Sequence, residues 1–223
     1  MNPAVEALVA FAVATGLASL LYQLQSIAII GNNLHALVAA IFLFLPQLFG
    51  RQRDDGLHAK PYLPNLSLAA LGLALLPLYA LLYIAFNRYA CPMLQLGSLC
   101  THLAPLHLRL PPHFLRLCAA QLLVVALPEE YFFRGYLQAR LESAWPARRH
   151  LFGAPVGRAL IVTALLFGVG HFLVTFQPVM LSRAIPGLVF GYMFARTRSI
   201  LPGTIFHAGC NLLMEILAVS FPR

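Results

Sequence analysis

Polar positions along the chain come in short clusters that separate long apolar runs. About 20 apolar residues cross a bilayer as a helix, so the runs predict seven spans, near residues 4–22, 27–49, 66–86, 114–141, 158–176, 179–196 and 199–220. The second is interrupted by GNNLH near its start, which blurs its boundary. The fourth is long and amphipathic at its end, so its last turns are expected beyond the bilayer. The first, AVEALVAFAVATGLASLLYQL, carries Glu6 but neither a basic leading region nor a small-residue cleavage site, and reads as a retained span. The expected fold is all-α, a polytopic membrane helical bundle forming one domain. Residues 1–113 supply packing helices and an outer loop, and 114–220 supply the core.

Charge gives the bundle a direction. Arg51, Arg53 and Lys60 follow the second run, Arg140, Arg148, Arg149 and Arg158 follow the fourth, and Arg196 and Arg198 follow the sixth. The alternate connections at 23–26 and 176–178 hold no Lys or Arg, and the 87–113 loop holds Arg88 and Arg109. Basic loops stay on the cytoplasmic side, which predicts an inner N-terminus and an outer C-terminus. The 87–113 loop then faces an oxidising side, where Cys91 and Cys100 can pair, or remain two thiols in a hairpin.

Composition excludes some classes. Of the 223 residues, 60% are hydrophobic and 10% charged, against about 25% charged in soluble domains. The net charge of +8 follows from the loop arginines, so the expected partner is the lipid bilayer and not nucleic acid. Heavy use of Arg, Ala, Leu and Pro beside a single lysine resembles a GC-rich bacterial genome, which suggests a bacterial inner membrane.

Ionisable groups are costly at membrane depth and mark functional sites there. The fourth run carries Glu129, Glu130 and Arg134, the fifth His171, and the seventh His207 and Asn211, with Glu215 further on. The first three runs carry no such set and read as packing. At 1.5 Å per residue, Glu129 and Glu130 lie about 18 Å from the inner end of their run, His171 about 20 Å and His207 about 13 Å. Similar depth on three helices points to one shared site. Glu130 and Arg134 are four residues apart and can pair, and Glu129, about 100° around the helix, is left for another task. Pro128 is expected to kink the helix. Gly168 and Gly170 allow a close helix approach beside His171.

A carboxylate, two imidazoles and a carboxamide in a low-dielectric pocket suit hydrolysis. Glu129 beside a histidine can act as general base, and an imidazole with the Asn211 amide can hold an oxyanion. Three alternatives stay open. His171, His207 and Glu129 could ligate zinc, although no H-E-x-x-H spacing exists. Cys210, three residues from His207, could be a thiol nucleophile. The groups could also be structural, in a non-catalytic membrane scaffold or immunity protein.

The segments EEYFFR (129–134), FGVGH (167–171) and HAGCN (207–211) resemble, in order and spacing, the E-E-x-x-x-R, F-x-x-x-H and H-x-x-x-N/D motifs of the CPBP family. That family comprises CAAX prenyl endopeptidase type II and bacteriocin-immunity-like intramembrane proteases, and the resemblance extends over roughly 114–220. It implies a glutamic-type endopeptidase without cofactor or metal, acting on a membrane-anchored protein or peptide substrate. Glu129 with His171 would activate water, His207 and Asn211 would form the oxyanion site, and Glu130 with Arg134 would organise it. PEEYFFRGYLQ is also similar to the myxosortase-type branch, which implies a C-terminal sorting helix as substrate.

Overall fold

A computed structural model of the chain describes residues 2–49, 56–94, 103 and 105–221. Arg51, Arg53 and Cys100 lie outside the described residues. Among the described residues the architecture is helical apart from one small hairpin. Helix α1 spans Pro3–Gln23, with Asn2 accepting the Ala4 N–H as cap, and α2 is the short turn Ala28–Gly31. Helices α3 (Leu34–Leu48) and α4 (Tyr62–Met93) follow. The central path, α5, is α-helical over Phe114–Ala120, π-helical over Gln121–Ala126, α-helical over Leu127–Glu130, π-helical over Tyr131–Gln138 and α-helical over Ala139–Ala144. Strands β1 (Arg149–Leu151) and β2 (Ala154–Val156) precede α6 (Arg158–Thr175), α7 (Ala184–Thr197) and α8 (Leu201–Ser220).

Among the described residues, five helices are long and apolar enough to cross a membrane: Pro3–Gln23, Tyr62–Met93, Arg158–Thr175, Pro178–Thr197 and Leu201–Ser220. The second expected span differs. Its GNNLH interruption ends α2 and leaves α3 with 15 residues, about 22 Å of helix, short of the roughly 30 Å hydrocarbon thickness. The fourth expected span is helical throughout but is set apart in composition by Glu129, Glu130 and Arg134. Pro128 lies two residues past the π segment Gln121–Ala126, where the hydrogen-bond ladder has already widened. The backbone stays helical through it, with Ala126 at φ −66°, ψ −44° and Leu127 at φ −60°, ψ −50°.

Helix α5 is the hub and touches α1, α3, α6, α7 and α8. Its first π segment is partly buried and its second wholly buried, and Phe132, Phe133 and Tyr136 join Phe11, Phe42, Phe167 and Phe190 in the main core. Arg140 Nη2 reaches Glu6 Oε2 at 2.6 Å and ties the end of α5 to the start of α1. Helix α4 turns Leu63, Leu66, Leu71, Leu81 and Leu82 outward. Such an apolar face would be a liability in water but is the natural boundary with hydrocarbon.

Contacts fix helix direction. Ser19 Oγ donates to the Leu173 carbonyl, so α1 and α6 run the same way. Gly72 lies against Phe206 and the Tyr79 hydroxyl meets Met214 Sδ, so α4 and α8 do too. The arginine-rich connection 145–157 forms the antiparallel hairpin β1–β2, pairing Arg149 with Val156 and Leu151 with Ala154. Its turn residues Phe152 and Gly153 have φ of 46° and 80°, the left-handed pair that two-residue hairpins use.

Candidate active site

Glu130 and Arg134 are both fully buried and pair at 3.0 Å, Nη1 to Oε1. Two unpaired charges at this depth would be prohibitive, and the pair holds because further groups meet it. Arg134 Nη2 donates to the Gly187 carbonyl at 3.1 Å, and its guanidinium lies over the rings of Phe167 (4.5 Å) and Phe190 (5.1 Å). Glu130 Oε1 also meets His207 Nδ1 at 3.0 Å. Since a carboxylate only accepts, that ring nitrogen carries a hydrogen. The sequence reading gave Glu130 only Arg134 as partner, and α8 supplies the second. Gly203 permits this approach, because a Cβ there would stand 2.9 Å from Glu130 Oε2.

Glu129 lies on the next face. Its Oε2 is buried and accepts no hydrogen bond. It stands 3.7 Å from His171 Nε2 and 3.8 Å from His207 Nε2, wider than a direct hydrogen bond. Both imidazoles are held from behind. His171 Nδ1 lies 2.8 Å from the Phe167 carbonyl, an acceptor, so Nδ1 carries the hydrogen and Nε2 faces Glu129. His207 stacks on Phe190 at 4.8 Å. The ring of Phe167 packs edge-on against His171 at 4.5 Å, so the four-residue spacing of FGVGH supplies both a carbonyl and a wall.

Asn211 lies one turn beyond His207, and its Nδ2 donates to Gln121 Oε1 at 2.9 Å. The structure thus joins Glu129, Glu130, Arg134, His171 and His207 through direct or near contacts, and anchors Asn211 to a seventh residue, Gln121. Gln121, Phe190 and the Gly187 carbonyl were not singled out from sequence. Gln121 sits eight residues before Glu129, on the π segment of α5, and carried no motif. Cys210 is a free thiol packed on the apolar core. Glu215 is exposed. Gly168 behaves as expected, since a Cβ there would press the Leu181 carbonyl at 2.6 Å.

Residues 111–213 match the family described as type II CAAX prenyl endopeptidase Rce1-like. The similarity to the Rce1-like family extends over 103 of the 223 residues. The match takes in α5 to α7 and α8 as far as Leu213, and with it all six residues of the site. Neither a curated protein nor a solved structure matches the chain. The match and the apolar helices together support an integral membrane protein of CAAX-protease-like type.

Beside the Rce1-like core lies a cavity of about 270 Å³ that reaches Glu129. Its walls include Ala18 and Tyr22 of α1, Val38 and Phe42 of α3, and Val125 of α5. The N-terminal helices, expected to serve as packing, therefore also wall the approach to the carboxylate.

Proposed function

We propose that the protein is an intramembrane glutamic endopeptidase that hydrolyses a peptide bond in a membrane-anchored protein. The observation that carries this reading is the convergence of two imidazole Nε2 atoms on the unpartnered Oε2 of Glu129, at 3.7 and 3.8 Å. Spacing of this kind suits a water molecule between the groups. One water O–H donates to Glu129 and the other to His171 Nε2, whose lone pair faces it because Nδ1–H is committed to Phe167.

The water oxygen bonds to the scissile carbonyl carbon and its proton passes to Glu129. The carbonyl π electrons move to oxygen, and the oxyanion is met by His207 Nε2–H and the Asn211 Nδ2 hydrogen not given to Gln121. With a hydrogen on each ring nitrogen, His207 balances the cluster: Glu129 and Glu130 supply two negative charges, Arg134 and His207 two positive. When the intermediate collapses, the C–N bond breaks and Glu129 returns its proton to the leaving nitrogen. The products are a carboxylic acid and an amine. Glu130 and Arg134 touch no reacting atom and act by fixing His207.

The substrate is a lipidated protein or one ending in an apolar sorting helix, and the setting is a bacterial cell membrane. The test compares the membrane proteomes of cells carrying the native protein and Glu129→Ala, reading C-terminal peptides. The variant is expected to accumulate unprocessed C-termini, and identical proteomes would sink the reading. Processing should also survive a metal chelator and Cys210→Ala. Chelator-reversible loss would favour zinc, and loss in Cys210→Ala would favour the thiol.

A further inference from the structure

The cavity that reaches Glu129 opens at one end of the bundle. Its lining includes Tyr22 and Gln25 at the end of α1, Leu34 and His35 at the start of α3, and Val174 at the end of α6. Since α1 and α6 run the same way, all of these lie at the end opposite the hairpin β1–β2. Gln25 and His35 are exposed there.

Basic residues distinguish the two ends. Among the described residues, Lys60, Arg140, Arg148, Arg149, Arg158, Arg196 and Arg198 gather at the hairpin end, seven in all. Arg88, Arg109, Arg116 and Arg183 occupy the cavity end, four in all. Lys and Arg in short loops stay cytoplasmic, which puts the hairpin end inside. Cys91 gives an independent indication. It is disulfide-bonded and lies at the end of α4, which runs with α8 away from the hairpin end. Disulfides persist on the oxidising, non-cytoplasmic side, and that is the cavity side.

We infer that the cavity opens on the non-cytoplasmic side of the membrane, and that the substrate is a membrane-anchored protein whose scissile bond lies in that outer half. The substrate class rests on the endopeptidase reading, whereas the direction of opening does not. The walls fit such a substrate. Ala18, Val38, Phe42 and Val125 offer an apolar slot for a side chain or alkyl group, and Gln25 and His35 at the mouth offer polar partners to emerging backbone. A segment cut here has already crossed the membrane, so an export step must precede this reaction.

Thiol accessibility tests the direction. In full-length protein carrying Cys118→Ser and Cys210→Ser, single cysteines are introduced as Gln25→Cys, His35→Cys or Arg149→Cys. Cells are then treated with a charged, membrane-impermeant maleimide. The expected result is labelling of Gln25→Cys and His35→Cys in intact cells and of Arg149→Cys only after permeabilisation. Any other pattern overturns the inferred direction. For the substrate, the unprocessed C-termini of Glu129→Ala cells should map to the non-cytoplasmic side, and cytoplasmic mapping overturns that part. Identical proteomes with the expected labelling would sink the endopeptidase reading and leave the direction standing.

Discussion

Glu129 and Glu130 are neighbours in sequence with different partners, and substitutions should separate them. Arg134→Leu strands a fully buried carboxylate and removes a guanidinium packed on two rings. Breaking one side of a buried pair costs about 3–5 kcal/mol, so thermal unfolding in detergent should show a fall of many degrees. Glu129→Gln removes a charge from a partly exposed group that accepts no hydrogen bond at Oε2. Its melting temperature should hold within a few degrees while processing is lost. Equal thermal losses in both variants would contradict this division. Gln121→Leu is expected to cost about 1 kcal/mol for one hydrogen bond, yet to reduce processing several-fold by freeing the Asn211 amide. The charged members of the site were legible in sequence because ionisable groups are rare at membrane depth. Gln121 was not, because an uncharged amide is unremarkable there and its partner lies 90 residues away.

At the level of elements, long apolar helices were readable from hydropathy, but the internal register of α5 was not. Its π segments lie along a helix that packs against five neighbours, and hydropathy carries no trace of the hydrogen-bond step. The hairpin was equally hidden. Three-residue strands are too short for an alternating pattern, and the pair is held by Ala154 buried against Leu160 and Ala195. Helix α8 owes its closeness to α5 to Gly203. Gly203→Ala would place a methyl 2.9 Å from Glu130 Oε2, in a core that relaxes only partially. A loss of about 1–3 kcal/mol is expected, with processing impaired because His207 is displaced with its helix. Gly16→Ala is the matched control, since a Cβ there meets nothing within 4 Å, and it should be neutral or stabilising by up to about 1 kcal/mol. Two variants with the same melting temperature would show that α8 is not held this closely.

For the whole molecule, the family match and the functional unit do not coincide. Residues 111–213 contain every ionisable group of the site, yet Ala18, Tyr22, Val38 and Phe42, which wall the cavity, lie outside them. The core would therefore set the chemistry, and α1 and α3 would set what reaches it. Val38→Trp tests this division. The added ring has to enter the cavity or push α3 from α5, and about 270 Å³ is room enough for the ring alone. Folding should survive, with a melting temperature near that of the native protein, while precursor accumulates as it does in Glu129→Ala cells. Ala36→Trp places the same ring at an exposed position of α3 that does not line the cavity, and it should process normally. Processing by Val38→Trp at the native rate would mean that substrate reaches Glu129 by another path and that α1 and α3 only pack. Loss in both variants would trace to α3 itself and not to the cavity.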